Sequence, residues 1–124
     1  MGMNKQQYTD LQLIPKATNY AEYMIELIIK LPRTEKFSIG TEYKQSIYEM
    51  IRYILYTTKK VGADKIDMLN RIDCELNLQR IFLRIMCKAH RIDTKKFQVA
   101  MDKIGEIGRI VGGLMKYYAK NHSQ

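Results

Sequence analysis

Apolar residues along this chain recur at spacings of three and four, the period of a single helical face. From about Leu11 to Leu31, the residues Tyr20, Met24, Leu27, Ile28 and Leu31 keep that spacing. Pro32 stops the segment, because a proline disfavours helical geometry in the residue before it. The linker PRTEKFSIG follows, with Ser38 placed to cap the next helix. There Tyr43, Ile47, Met50, Ile51, Ile54 and Thr58 form a second apolar face, and Gly62 is expected as its C-cap. Asp64 opens a third helix that reaches about His90, and Asp93 or Thr94 caps a fourth that continues to about Lys120. In this last helix Phe97, Met101, Ile104, Gly108, Val111, Met115 and Tyr118 alternate spacings of four and three, an a/d heptad. No strand pattern competes. Four helices of about 20 residues with short connections predict an all-α, up-down four-helix bundle. Residues 11–120 form its single domain, with 1–10 and 121–124 expected as mobile ends.

The third helix has two unlike sides. At about 100° per residue, Arg80, Arg84, Lys88 and Arg91 share one stripe. Opposite lie Ile81, Phe82, Leu83, Ile85, Met86 and Ala89, over an arc wider than the stripe of a little over about 100° that one core contact needs. So broad an arc predicts two packing surfaces, one inside the bundle and one against a neighbouring copy, with Phe82, Ile85 and Met86 as packing residues.

The fourth helix carries Gly105, Gly108, Gly112 and Gly113 in the stretch KIGEIGRIVGGLMKYY. Each glycine inside a helix costs about 0.5–1 kcal/mol relative to alanine. A phosphate-binding loop would need a preceding strand and its own fixed spacing, and neither is present. Gly105, Gly108 and Gly112 fall close to one side, where another backbone could approach in a tight helix crossing. The spacing leaves open whether that neighbour is in the same chain.

The net charge of +8 changes the picture because it is uneven. Residues 80–124 hold ten Lys and Arg against three Asp and Glu, whereas the first 79 residues hold eleven against ten. Besides the four-cation stripe, the basic end includes Lys95, Lys96, Arg109, Lys116 and Lys120. Cations so concentrated predict phosphate contacts and a nucleic-acid partner. Asp73 lies near the angle of Arg80 and could relieve it.

Little points to catalysis. His90 and His122 are far apart, and His90 suits the end of a helix dipole. No nucleophile stands in a motif with a histidine and a carboxylate, and no Glu-x-x-His pair marks a di-iron bundle. The expectation is a protein without catalysis, cofactor, metal or small-molecule substrate. Cys74 and Cys87, about 20 Å apart along one helix, cannot bridge and read as reduced, mostly buried thiols. Tyr20, Tyr43 and Tyr118 fall on apolar faces; Tyr53, Tyr56 and Tyr117 either pack or stack on bases. No apolar run approaches the roughly 18 residues of a membrane span, and the N-terminal MGMNKQQYTD is unlike a signal peptide, so a soluble cytoplasmic protein is expected.

The order of these motifs resembles the Avd family, the accessory variability determinants of diversity-generating retroelements. KLPRTEKFSIG, LQRIFLRIM and, most specifically, Glu106 through Gly113 carry the resemblance over about residues 11–119. A sister group, the bundle proteins encoded in intervening sequences of 23S ribosomal RNA genes, usually has a small-residue second helix leading to an N-I-A-E-G-type motif. The stretch SIYEMIRYILYTTKK is bulky and aromatic instead, which favours the Avd side. The resemblance implies a ring-like homopentamer that binds the element's reverse transcriptase and its template RNA, with RNA or DNA on a basic surface, and supports mutagenic cDNA synthesis. By position, Arg80 and Arg84 match the family's basic pair, and Arg109 the arginine of its glycine motif. Two other readings stand beside it: a structural homo-oligomer with protein partners only, and a protein of the ribosomal intervening-sequence type.

Overall fold

A computed structural model of the chain describes the backbone of residues 5–122 and the side chains of residues 11–120. Helix α1 spans Lys5–Ile29, a one-turn α2 Arg33–Lys36, α3 Ile39–Thr57, α4 Gly62–Lys88 and α5 Thr94–His122. The four long helices pack in the order α1, α3, α4, α5, with α5 returning against α1. That is the up-down arrangement that short connections impose. Residues 1–4 and 123–124, expected to be mobile, lie outside the described residues. Residues 5–10 and 121–122, grouped with those ends, continue α1 and α5 as helix.

The core follows the apolar periodicity. Tyr20, Met24 and Ile28 of α1, Tyr43, Ile47, Met50 and Ile54 of α3, and Leu69, Ile72, Leu76 and Leu83 of α4 are all buried. In α5 the buried seam is Ala100, Ile104, Ile107, Val111 and Leu114. The predicted heptad shares Ile104 and Val111 with it. Phe97, Met101, Gly108, Met115 and Tyr118 instead flank that seam and are only half-buried. In α3, Thr57 is buried and Thr58 exposed, its hydroxyl donating to the Leu55 carbonyl at 2.7 Å.

Punctuation differs from the sequence pattern at three places. The linker contains α2, and the Ser38 hydroxyl donates back to the Thr34 carbonyl at 2.7 Å rather than accepting from the first turn of α3. Two residues on, a β-carbon at Gly40 would stand 3.0 Å from Ile28 Cγ2 and 3.1 Å from the Glu35 carbonyl, so this glycine lets α3 close onto α1 and α2. Gly62 does not end α3, which stops at Thr57. With φ of 58° it takes the left-handed turn that starts α4, two residues before Asp64.

At its far end α4 stops at Lys88, and His90 adopts φ of 60°. His90 N–H donates to the Cys87 carbonyl at 3.0 Å and Arg91 N–H to the Met86 carbonyl at 2.8 Å, the paired bonds of a Schellman ending. Of the two expected caps for α5, Asp93 does the work. Its Oδ1 accepts from Lys96 N–H at 2.7 Å and its carbonyl from Phe97 N–H at 3.0 Å.

One polar chain runs through the core. If Tyr20 donates to Gln79 Oε1 at 2.6 Å, then Tyr43 donates to Tyr20 at 2.5 Å, since each phenol has one proton. Gln79 Nε2 donates to Ser46 Oγ at 3.0 Å, and Ser46 Oγ to Glu75 Oε1 at 2.8 Å. Three helices are thereby fixed to one another by bonds with defined partners. Burial raises both tyrosines above the usual phenol range, well above it for Tyr20, which Tyr43 pushes further in the same direction.

Candidate nucleic-acid interface

The predicted basic stripe begins at Arg80 on the side of α4 that faces α5. There a β-carbon on Gly108 would stand 3.0 Å from Arg80 Nη2. The guanidinium is oriented from its own helix, because Nη1 donates to Asn77 Oδ1 at 2.8 Å and Asn77 Nδ2 to Asp73 Oδ2 at 3.4 Å. Asp73 thus reaches Arg80 through Asn77 rather than directly. One turn on, Arg84 is exposed with no ion-pair or hydrogen-bond partner among the described residues.

The other wall comes from α5. Gly105, Arg109, Gly112 and Lys116 recur at i, i+4, i+7 and i+11, one face of that helix, with Lys120 a turn beyond. Arg109 Nη1 lies 3.4 Å from where a β-carbon on Gly105 would be. Nothing stands within 4 Å of the corresponding positions on Gly112 and Gly113. The expectation of a tight helix crossing at these glycines therefore fails within the chain: no neighbouring backbone approaches them. They leave instead a strip of α5 surface without β-carbons beside α4, called the trough below, with Arg80 next to Gly108, Arg109 next to Gly105 and Arg84 one turn beyond Arg80 on α4.

Not every predicted cation joins this trough. Lys88 sits exposed in the last turn of α4, where a cation suits the dipole, and Lys95 is exposed at the start of α5. Arg91 falls beyond the end of α4, so it leaves the helical stripe, and its Nε pairs with Glu35 Oε1 of α2 at 2.8 Å. The Lys96 ammonium makes only a loose 3.9 Å contact to Asp93, and Lys96, like Arg91, lines a cavity on the α1 side of the bundle end.

The three predicted packing residues divide. Met86 belongs to the core, Phe82 is half-buried with its ring 5.9 Å from that of Tyr43, and Ile85 is 51% exposed. Ile85 continues an outward stripe of Cys74, Leu78 and Ile81 that the sequence pattern marked only in part. Cys74 is exposed and Cys87 half-buried, against the expectation of mostly buried thiols. Their surroundings explain it: Cys74 lies diametrically away from the α4 core seam.

The aromatic residues also sort by position. Tyr118 is half-buried under the Lys65 ammonium, 4.6 Å from the ring centre, and packs edge-on against Tyr117 at 4.9 Å. Arg71 lies 5.8 Å from the ring centre of Tyr53, and Tyr56 is exposed. Phe37, part of the stretch that carries the family resemblance but given no surface role from the sequence, is 66% exposed with Arg33 and Lys36 at 5.7 and 5.6 Å from its ring centre. An aromatic residue between charges in a predicted linker was the available signal.

Among the described residues, no group of three or more His, Cys, Asp or Glu side chains could hold a metal ion, and no helix is long and apolar enough to cross a membrane.

Comparison with solved structures supports the bundle. The fold is similar to that of a protein of unknown function from the S23 ribosomal protein family of Bacteroides thetaiotaomicron, known from a crystal structure at 1.70 Å resolution. The TM-score is 0.80 at 19% identity, covering 87% of this chain and 98% of that one. At that identity the likeness speaks to fold alone. No curated protein matches the sequence. The model of the bAvd-like family matches residues 6–118, nearly the whole of the bundle that carries the trough, and the chain belongs to that family.

Proposed function

We propose that this protein is a non-catalytic, nucleic-acid-binding accessory of a retroelement reverse transcriptase, which holds template RNA or its cDNA during mutagenic copying. The observation that carries the reading is the α4–α5 trough, where Arg80 lies beside Gly108 and Arg109 beside Gly105, and where the missing side chain of Gly112 would meet nothing inside the protomer. Phosphates can approach bared backbone more closely than a surface studded with β-carbons, and cations without partners release counterions when they meet them. The choice of reverse transcriptase as partner comes from the resemblance to the retroelement accessory proteins.

The outward stripe of Cys74, Leu78, Ile81 and Ile85 supports assembly of identical copies, a pentameric ring in this reading. The same stripe also favours a second reading, a structural oligomer whose partners are all proteins. A salt series separates the two. Binding through 6–10 phosphates loses about 10³–10⁵ in affinity between 50 and 200 mM salt. The Arg84→Ala/Arg109→Ala variant should weaken binding and flatten that slope. An unchanged slope would remove the trough from the function, and affinity for the polymerase in RNA-free conditions would then favour the scaffold.

A further inference from the structure

A second feature lies at the α2 end of the bundle, away from the trough. The last turns of α1, the residues after the Schellman ending and the first turn of α5 enclose a cavity of about 200 Å³. Leu27, Leu31 and Ile92, all buried, give it an apolar floor, and the Tyr23 ring forms part of its wall. Lys30, Arg91 and Lys96 stand on its lining, but so do the acidic residues Glu26 and Asp93.

This mixture restricts the occupant. Two carboxylates disfavour a bare phosphate, and the volume is below the roughly 300–1,000 Å³ of a site for a drug-sized ligand. A flat ring with N–H donors at its edge and a negative charge trailing outside fits both facts. The Glu26 carboxylate has no hydrogen-bond or ion-pair partner among the described residues, so it remains available to accept from such an edge. Asp93 is partly committed to capping α5.

Helix α2, next to the cavity, extends the same chemistry. Arg91 of the cavity is bonded to Glu35, which ties α2 to the cavity wall. Two residues beyond Glu35 is Phe37, the most exposed aromatic ring among the described residues, with Arg33 and Lys36 beside it. Exposed aromatic rings among cations form the stacking platforms on which unpaired bases lie. A duplex offers no such free base face.

We propose that the α2 end is a site for single-stranded nucleic acid: one unpaired base enters the cavity toward Glu26, a nearby base of the same strand stacks on Phe37, and Lys30, Arg33 and Lys36 meet the phosphates of that stretch. This rests on the reading of the protein as a nucleic-acid binder, but it uses different residues from the α4–α5 trough and a different form of the polymer.

The test compares three probes of equal length on the full chain: a mixed-sequence single strand of about 12 nucleotides, within the usual site size of about 4–16, the same strand with abasic sugars, and a duplex. The intact strand should bind about 5-fold or more tightly than the abasic one, the smallest effect expected of one base stack. Phe37→Ala, at an exposed position that should not affect folding, should lower single-strand affinity by a similar factor and leave duplex binding unchanged. Glu26→Gln should reduce the preference for intact over abasic strand. Equal binding of intact and abasic strands, or no effect of either variant, would overturn the site. If Arg84→Ala/Arg109→Ala then still weakened all probes, the trough reading would survive that failure. Absence of binding to every probe would overturn both.

Discussion

Arg80 of α4 lies over Gly108 of α5, its Nη2 3.0 Å from the point a β-carbon would occupy. That contact joins the two sequence patterns, the cationic stripe and the glycine stretch, into one surface. It also separates the glycines by their expected response to substitution.

At Gly112 and Gly113 nothing obstructs a methyl group, so alanine should only improve helix propensity. Each substitution should raise stability by about 0.5–1 kcal/mol, read from denaturant midpoints. If the trough is a working surface, nucleic-acid affinity should fall with Gly112→Leu even as the fold is retained. Gly108→Ala should displace only the end of the Arg80 side chain, and so cost little in stability while altering binding.

The Tyr43–Tyr20–Gln79–Ser46–Glu75 chain should be sensitive to loss of its middle member. Gln79→Leu leaves the Tyr20 hydroxyl without its acceptor and Ser46 without a donor inside a closed core. A loss of about 2–4 kcal/mol is expected. Tyr20→Phe should be costly for the same reason, and the two should be non-additive in a double-mutant cycle because they break one network. Additive effects would show that the chain of bonds does not act as a unit.

The same tyrosines set an alkaline limit. Their raised values mean that the folded state holds both phenols neutral at a pH where the unfolded chain, near 10, begins to ionise. Their contribution is therefore fully present below about pH 10 and is lost as pH rises toward the folded-state values. Denaturant midpoints should decline above pH 10, and phenolate absorbance should show two tyrosines that ionise only on unfolding. Ionisation of all tyrosines in the folded protein near pH 10 would contradict this.

His90 occupies a left-handed position at the end of α4, where a β-carbon is unfavourable. His90→Gly should stabilise the protein by about 1 kcal/mol. His90→Val, branched at that carbon, should destabilise it. Thermal denaturation of the two variants reads the sign directly.

Much of the fold was legible because a helix repeats its geometry. A residue's face follows from its number, and so Tyr20, Met24, Leu27 and Ile28 of α1 and Tyr43, Ile47, Met50 and Ile54 of α3 were placed by spacing, whereas the buried Leu13, Ala17 and Ala21 of α1 were not among them. The seam of α5 was harder to place, because Ala100, Ile107 and Leu114 on one side and Phe97, Met101 and Met115 on the other are all apolar, and only packing shows which side faces inward. Gln79 occupies a seam position between Leu76 and Leu83, but its fitness for the core depends on Tyr20, 59 residues away, which no local pattern connects to it.

The sequence by itself determined four long helices, their order, and the concentration of positive charge from residue 80 onward, because these follow from short-range periodicity and composition. Tertiary structure alone decided where those charges lie relative to one another. Rotation of α4 against α5 set Arg80 over Gly108 and left Arg84 free, while the turn at His90 carried Arg91 off the stripe to Glu35. The same packing sent the glycine face outward instead of into a crossing and gathered Phe37, Glu26 and Lys30 at one end. Such encounters depend on helix rotation and chain reversal, which are fixed only when the whole core closes.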